Sequence, residues 1–226
     1  MISVLSDMMS YTFIVRAMIV GGLVALCSAL LGVSLVLKRY SMIGDGLSHV
    51  AFAALTIAVA MNVAPLYIST PIVTVAAIIL LRLSENSKIK GDSAIALIST
   101  VSIAIGVVVT ALTKGMNTDV YSYMFGSILA MSESDVYMSI ALSVVVIILF
   151  VFFYNKIFAV TFDESFAKAT GTRADAYNMI IAVLTAITIV VGMRIMGTML
   201  ISSLIIFPAL ISMRNFKTFK SVIICS

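Results

Sequence analysis

"SMIGDGLSHVAFAALTIAVAM", residues 41–61, sets an aspartate and the only histidine of a 226-residue chain at the mouth of a long apolar run. About 20 consecutive apolar residues cross the hydrocarbon core of a bilayer, so this stretch has the length of a membrane span. The rest of the chain is of the same kind. It is 62% hydrophobic and 11% charged, with mean hydropathy +1.20, whereas about a quarter of a soluble domain is charged. The composition defines an all-α, polytopic integral membrane protein and excludes a soluble enzyme or a nucleic-acid-binding module.

Outward from that run the chain divides into seven spans: Tyr11–Leu37, Ile43–Met61, Pro65–Leu83, Asp92–Thr113, Asp135–Tyr154, Tyr177–Met193 and Ile195–Met213. The piece "VYSYMFGSILAM", Val120–Met131, is too short to cross and is expected as a re-entrant or surface helix held against other protein. After Met213 a basic patch and four apolar residues resemble the start of a truncated eighth span. All of 1–226 is expected to form one transmembrane domain. The first ten residues hold no Lys or Arg, and the run after them exceeds a signal-peptide core of about 7–15 residues, so no cleaved leader is expected. Cys27 and Cys225 are too far apart in character and too few to suggest a disulfide framework or a metal knuckle.

Basic residues orient a membrane protein, because they are retained on the cytoplasmic side. The loops after spans one, three, five and seven hold eleven: Lys38, Arg39, Arg82, Lys88, Lys90, Lys156, Lys168, Arg173, Arg214, Lys217 and Lys220. The alternate loops hold Lys114 and Arg194, and Arg16 lies within span one. The bias places the amino terminus outside. It also accounts for the net charge of +4 with no nucleic-acid partner.

Ionisable residues inside a span are expensive, about 2.5–3.5 kcal/mol each at the bilayer centre on insertion scales. Asp45 and His49 stand at i and i+4, where their side chains are neighbours on one helical face. A carboxylate oxygen with an imidazole nitrogen suits zinc, manganese or iron. A purely structural arrangement fits the same pattern, with Asp45 capping the helix and His49 bonding a carbonyl. Two ligands fall short of the four that a transition ion commonly takes, and a twofold homodimer would supply the others. The first span repeats small residues at Gly21, Ala25 and Ala29, with Gly32 a turn on, a pattern that serves helix packing either between subunits or within one.

The loop "VTFDESFAKATGTR", residues 160–173, carries local helix signals: Thr161 and Glu164 as a capping box, Gly171 as the C-terminal stop. Phe162, Phe166 and Ala169 fall on one side. Such a helix fits a groove on another protein or the lipid surface.

Five segments, "VLKRYSMIGDGLSHVAF", "GDSAIALISTVSIAIGVVV", "DVYSYMFGSILAMSESD", "FDESFAKATGT" and "MGTMLISSLIIFPALIS", stand in the order and spacing of the zinc/manganese ABC-transporter permeases. The chain resembles that family from about Phe13 to Met213. The resemblance implies that Asp45 and His49 coordinate the metal in transit. It also implies that Phe162, Asp163, Phe166, Ala167 and Gly171 belong to a coupling helix that docks on a cytoplasmic ATP-binding subunit. Further implications are an extracytoplasmic metal-binding protein that delivers the ion, a bacterial cell-membrane location, and no permanently bound cofactor. Members of the family usually continue through a further membrane segment.

The chain lacks a G-x-x-x-x-G-K-[ST] phosphate loop and any nucleophile–base constellation, so it is expected to hydrolyse nothing itself. Two rival classes are a proton-coupled secondary metal carrier, which typically spreads more acidic residues through its spans, and a membrane metalloenzyme, whose H-E-x-x-H helix is absent. The depth of the pair is the remaining tension. A span starting at Ile43 leaves Asp45 near one end, so a central site requires the helix to start deep or to be broken at Gly44 or Gly46.

Overall fold

The computed structural model describes residues 11–86, 91–113, 125–126 and 132–226, and among them all regular structure is helical. Five long helices cover the first five expected spans: α1 (Thr12–Leu37), α2 (Ser41–Ala60), α3 (Pro65–Asn86), α4 (Gly91–Leu112) and α5 (Glu133–Phe152). Two short ones follow, α6 (Tyr154–Phe162) and α7 (Glu164–Ala169), then α8 (Ala174–Asn215) and α9 (Phe219–Cys225). Six of these are long and apolar enough to cross a membrane. The expected surface helix Val120–Met131 lies outside the described residues except for Phe125 and Gly126.

α8 corrects the sixth and seventh spans. They are two helical legs, as expected, but the break between them comes at Gly197, with φ 82° and ψ 168°, rather than at Arg194. That backbone region is open almost only to glycine. The chain reverses there. Asn178 bonds Lys38 at the end of α1, Gly192 packs on Val24, and Met196 reaches Gly21. Beyond the break Ile205 lies on Gly32, and Met213 shares a cleft with Val33 and Leu37. Both legs of α8 therefore run along α1, in opposite directions.

This hairpin is the centre of the bundle. It packs on α1, α2, α3 and α5, while α4 sits outside, mainly against α2. The core is made of branched aliphatics and alanines such as Leu31, Leu47, Leu55, Leu80, Leu184, Ile189 and Ile201. The exposed apolar side chains of α4, among them Leu97, Val101, Val107 and Val108, are what a lipid-facing helix requires. The repeat of small residues on α1 serves packing within the subunit, since Gly32 lies under α8 and Gly21 beside Met196.

The two ends of the bundle differ in charge. Lys38, Lys168, Arg214 and Lys217 gather where α1 ends and α8 starts and finishes. The other end carries two pairs. Arg16 meets Glu133 at 2.6 Å, and Arg194 binds Asp135, both buried.

Candidate functional site

α2 is unbroken, and Tyr40 precedes its first turn without a side-chain cap. The backbone Asp45 carbonyl accepts from Ser48 Oγ at 2.7 Å, and its carboxylate faces along the helix to His49. The capping role considered for Asp45 is therefore not the one it plays. His49 Nε2 lies 3.7 Å from Asp45 Oδ2. Two ligands held about 2.1 Å from a tetrahedral ion lie about 3.4 Å apart, so rotamer adjustments of a few tenths of an ångström would bring both onto one cation.

α2 also fixes where along its length the two side chains stand, Asp45 at its fifth residue. His49 is the ninth of its twenty residues, about 12 Å along the axis from Ser41 at 1.5 Å per residue. The helix begins at Ser41, two residues before the expected span, and so carries His49 close to its midpoint with no break at either glycine. Gly46 has a different purpose. A Cβ there would lie 2.7 Å from Ile95 of α4, so glycine lets the two helices approach. Beside Gly44, by contrast, the space is open. The Asp45 and His49 side chains are 46% and 24% exposed, so the pair opens away from the bundle. Among the described residues no group of three or more His, Cys, Asp or Glu could hold a metal. One copy of the chain offers two ligands.

The second candidate region is α6–α7. Asp163, not Thr161, caps α7: its Oδ1 accepts from the Phe166 amide at 2.9 Å, while Thr161 belongs to α6 and is buried. Both residue types cap well, and the burial of Thr161 leaves the role to Asp163. The stop at Gly171 is as expected. Its φ is 81°, its amide bonds the Lys168 carbonyl and the Thr172 amide bonds the Ala167 carbonyl, the paired bonds of a Schellman motif. Phe162 and Phe166 project outward, 72% and 65% exposed. Ala167 does the reverse and packs on Val160 and Ala174. It seats α7 on the bundle and presents nothing to a partner.

Glu164 makes this seat polar as well as apolar. Its carboxylate accepts from Lys38 at 3.0 Å, from Asn178 at 3.1 Å and from Lys168 at 3.0 Å. Burial pushes the carboxyl up, yet hydrogen bonds from Lys168, Asn178 and Lys38, with the nearby Lys38 charge, bring it down to about 2. Hydrogen bonds to Asp175 and Glu164 hold the Lys168 ammonium above its ordinary range. The sequence gives little sign of this cluster beyond a lysine next to a helix end, because its members stand 14 and 126 residues from Glu164.

Among the described residues these features define an all-helical integral membrane protein. The chain belongs to the ABC 3 transport family, whose model matches residues 10–226. It is 29% identical over 209 residues to the high-affinity zinc uptake system membrane protein ZnuB of Haemophilus influenzae, covering 92% of this chain and 79% of that one. It is 26% identical over 203 residues to the manganese transport system membrane protein MntC of Halalkalibacterium halodurans, covering 89% and 69%. Among solved structures, PsaBC from Streptococcus pneumoniae in complex with Fab matches with a TM-score of 0.87 and 27% identity, over 100% of this chain and 81% of that one.

Proposed function

We propose that the chain is the membrane subunit of an importer for a divalent transition ion, zinc, manganese or iron, in which ATP hydrolysis on a separate cytoplasmic subunit drives alternating access. The observation that carries the reading is the Asp45–His49 pair, 3.7 Å apart near the middle of an unbroken helix and open on one side. A carboxylate with an imidazole favours a transition ion over calcium or magnesium, which prefer all-oxygen sites. Relatives named for zinc and for manganese transport support the same class of cargo.

Two ligands per chain call for two chains. In a homodimer the open faces of two α2 helices would meet and present two Asp45 and two His49 to one ion. The basic end of the bundle would face the cytoplasm, leaving the amino terminus outside, where an extracytoplasmic binding protein delivers the ion. At the basic end, Phe162 and Phe166 offer two exposed rings on a seated helix for the ATP-binding subunit, with Asp163, Ala167 and Gly171 fixing the shape of that helix.

The test is uptake of radioactive zinc or manganese into proteoliposomes holding the permease with its ATP-binding partner. Asp45→Ala and His49→Ala should each abolish uptake at limiting metal while leaving membrane insertion intact. Wild-type uptake by His49→Ala would overturn the assignment, and uptake independent of ATP would favour a secondary carrier.

A further inference from the structure

Lys38 is a cation at the end of a membrane helix with its side chain only 6% exposed. Its Nζ donates to Glu164 of α7 at 3.0 Å and to the Asn178 side-chain carbonyl of α8, and Asn178 donates back to the same Glu164 oxygen. Three helices thus meet in one closed triangle of hydrogen bonds. The triangle sits directly at the turn into α2. Lys38 is the C-cap of α1, Arg39 follows with a left-handed φ of 60°, and the Tyr40 amide bonds back to the Leu35 carbonyl at 2.8 Å.

That turn has little slack. Only Arg39 and Tyr40 separate Lys38 from α2, the Ile43 amide already bonds the Tyr40 carbonyl at 2.9 Å, and Ile43 packs in the crevice lined by Leu35, Lys38, Leu81 and Asn178. Asp45 comes one turn later. A left-handed arginine costs about 1 kcal/mol or more relative to an ordinary conformation, so the surroundings must hold the turn in shape. Among the described residues, the other side-chain ties of α7 to the bundle are the small apolar contacts of Ala167 and the exposed Lys168–Asp175 pair.

We infer that Lys38, with Glu164 and Asn178, is a positioning residue that ties α7 to the start of α2, so that movement of α7 by a docked partner is delivered to Asp45 and His49. The inference rests on the proposed function, for without a partner at α7 and a metal at α2 there is nothing to relay. Hydrogen bonds to a buried charge are short and strongly directional, and they resist shear in a way that the Ala167 contact does not. Glu164 keeps Lys168 and Asn178 when Lys38 is replaced, so loss of the lysine leaves no isolated buried charge.

The experiment compares wild type, Lys38→Met and Lys38→Arg in proteoliposomes with the ATP-binding subunit, measuring metal uptake and ATP hydrolysis together. Spin labels at Met42 and Ser165, both with exposed side chains, report the α2–α7 distance in the same complexes. Lys38→Met should still copurify its partner and hydrolyse ATP, yet carry at least about tenfold less metal per ATP, with a broadened label distance. Lys38→Arg should restore both. Wild-type metal per ATP in Lys38→Met, or a label distance as narrow as wild type, overturns the relay. If Lys38→Met fails to accumulate, Glu164→Gln, which keeps the shape of the side chain and loses its charge, takes its place with the same two outcomes. A wild-type complex that neither retains an ATP-binding subunit nor takes up metal would overturn the proposed function instead.

Discussion

Gly32 of α1 lies directly beneath the Ile205 carbonyl of α8: a Cβ added at Gly32 would collide with that oxygen and lie 3.1 Å from its carbon. The obstacle is backbone, which cannot rotate away as a side chain can. Gly32→Ala should therefore separate the two helices and destabilise the fold by about 1–3 kcal/mol, the usual cost of overpacking. Thermal unfolding in detergent would register it. Gly22→Ala, with nothing within 4 Å of the added carbon, should be close to neutral in the same assay.

The buried Asp135–Arg194 pair joins α5 to α8 just before its reversal at Gly197. Asp135 is engaged twice, since it also accepts from the Ser132 amide while Ser132 caps its own. Removing one member of a buried pair leaves the other charged and costs about 3–5 kcal/mol. Arg194→Met alone should therefore destabilise strongly, and combining it with Asp135→Asn should recover most of the loss. Equal melting of the single and double variants would contradict the coupling.

The seat of α7 should depend on acidity with a definite sign. Glu164 has its carboxyl lowered from 4.5 to about 2, so its contribution is complete above about pH 4.5 and is lost as pH falls towards 2. Lys168, whose ammonium is held above its ordinary range, stays charged throughout. Protection of the Gly171 and Thr172 amides, which close α7, should fall across that window in the wild type when exchange is taken relative to the intrinsic rate at each pH. In Glu164→Gln the protection should be lower at neutral pH and unchanged across the window.

Phe166 is the probe of docking that leaves folding alone. It is largely exposed and α7 has its own cap at Asp163 and stop at Gly171. Burying an aromatic ring stabilises by about 1.5–3 kcal/mol, so Phe166→Ala should weaken retention of the ATP-binding subunit about ten- to a hundredfold. The far end of the molecule should be untouched, with melting temperature and metal binding as in wild type. Full copurification and transport by this variant would reduce α7 to a membrane-surface segment.

Hydropathy made the first five spans legible because a bilayer demands length and apolarity, and both are written in consecutive residues. It misplaced the reversal between the sixth and seventh because Arg194 looks like a loop residue when its neighbours alone are considered. Its partner Asp135 lies 59 residues away, and nothing in the spacing announces the pair. Gly197 was the usable signal, a glycine three residues on, at the point inside α8 where φ turns positive. The closeness of Asp45 and His49 was legible for the opposite reason, since i and i+4 on one helix is a local relation. The expected cap of α7, Thr161, gives way to Asp163 because Thr161 is buried within α6, a tertiary outcome with no local trace. The Lys38–Glu164 contact, 126 residues apart, belongs to the assembled bundle and has no local trace.

The α8 hairpin sets an order of assembly. α1 leaves the ribosome before its main partner, which is completed only after Ile205, about 170 residues later. At about 5–20 residues per second, that is roughly ten to thirty-five seconds in which the Gly32 groove faces lipid or transient neighbours. α1 can wait because it is apolar enough to stand alone in a bilayer. Its buried Ser28 and Ser34 and its glycine groove are spent on a helix not yet made. Defects on this face should thus pass the insertion machinery unnoticed and surface only at the final docking step, where membrane proteases recognise an unfinished bundle.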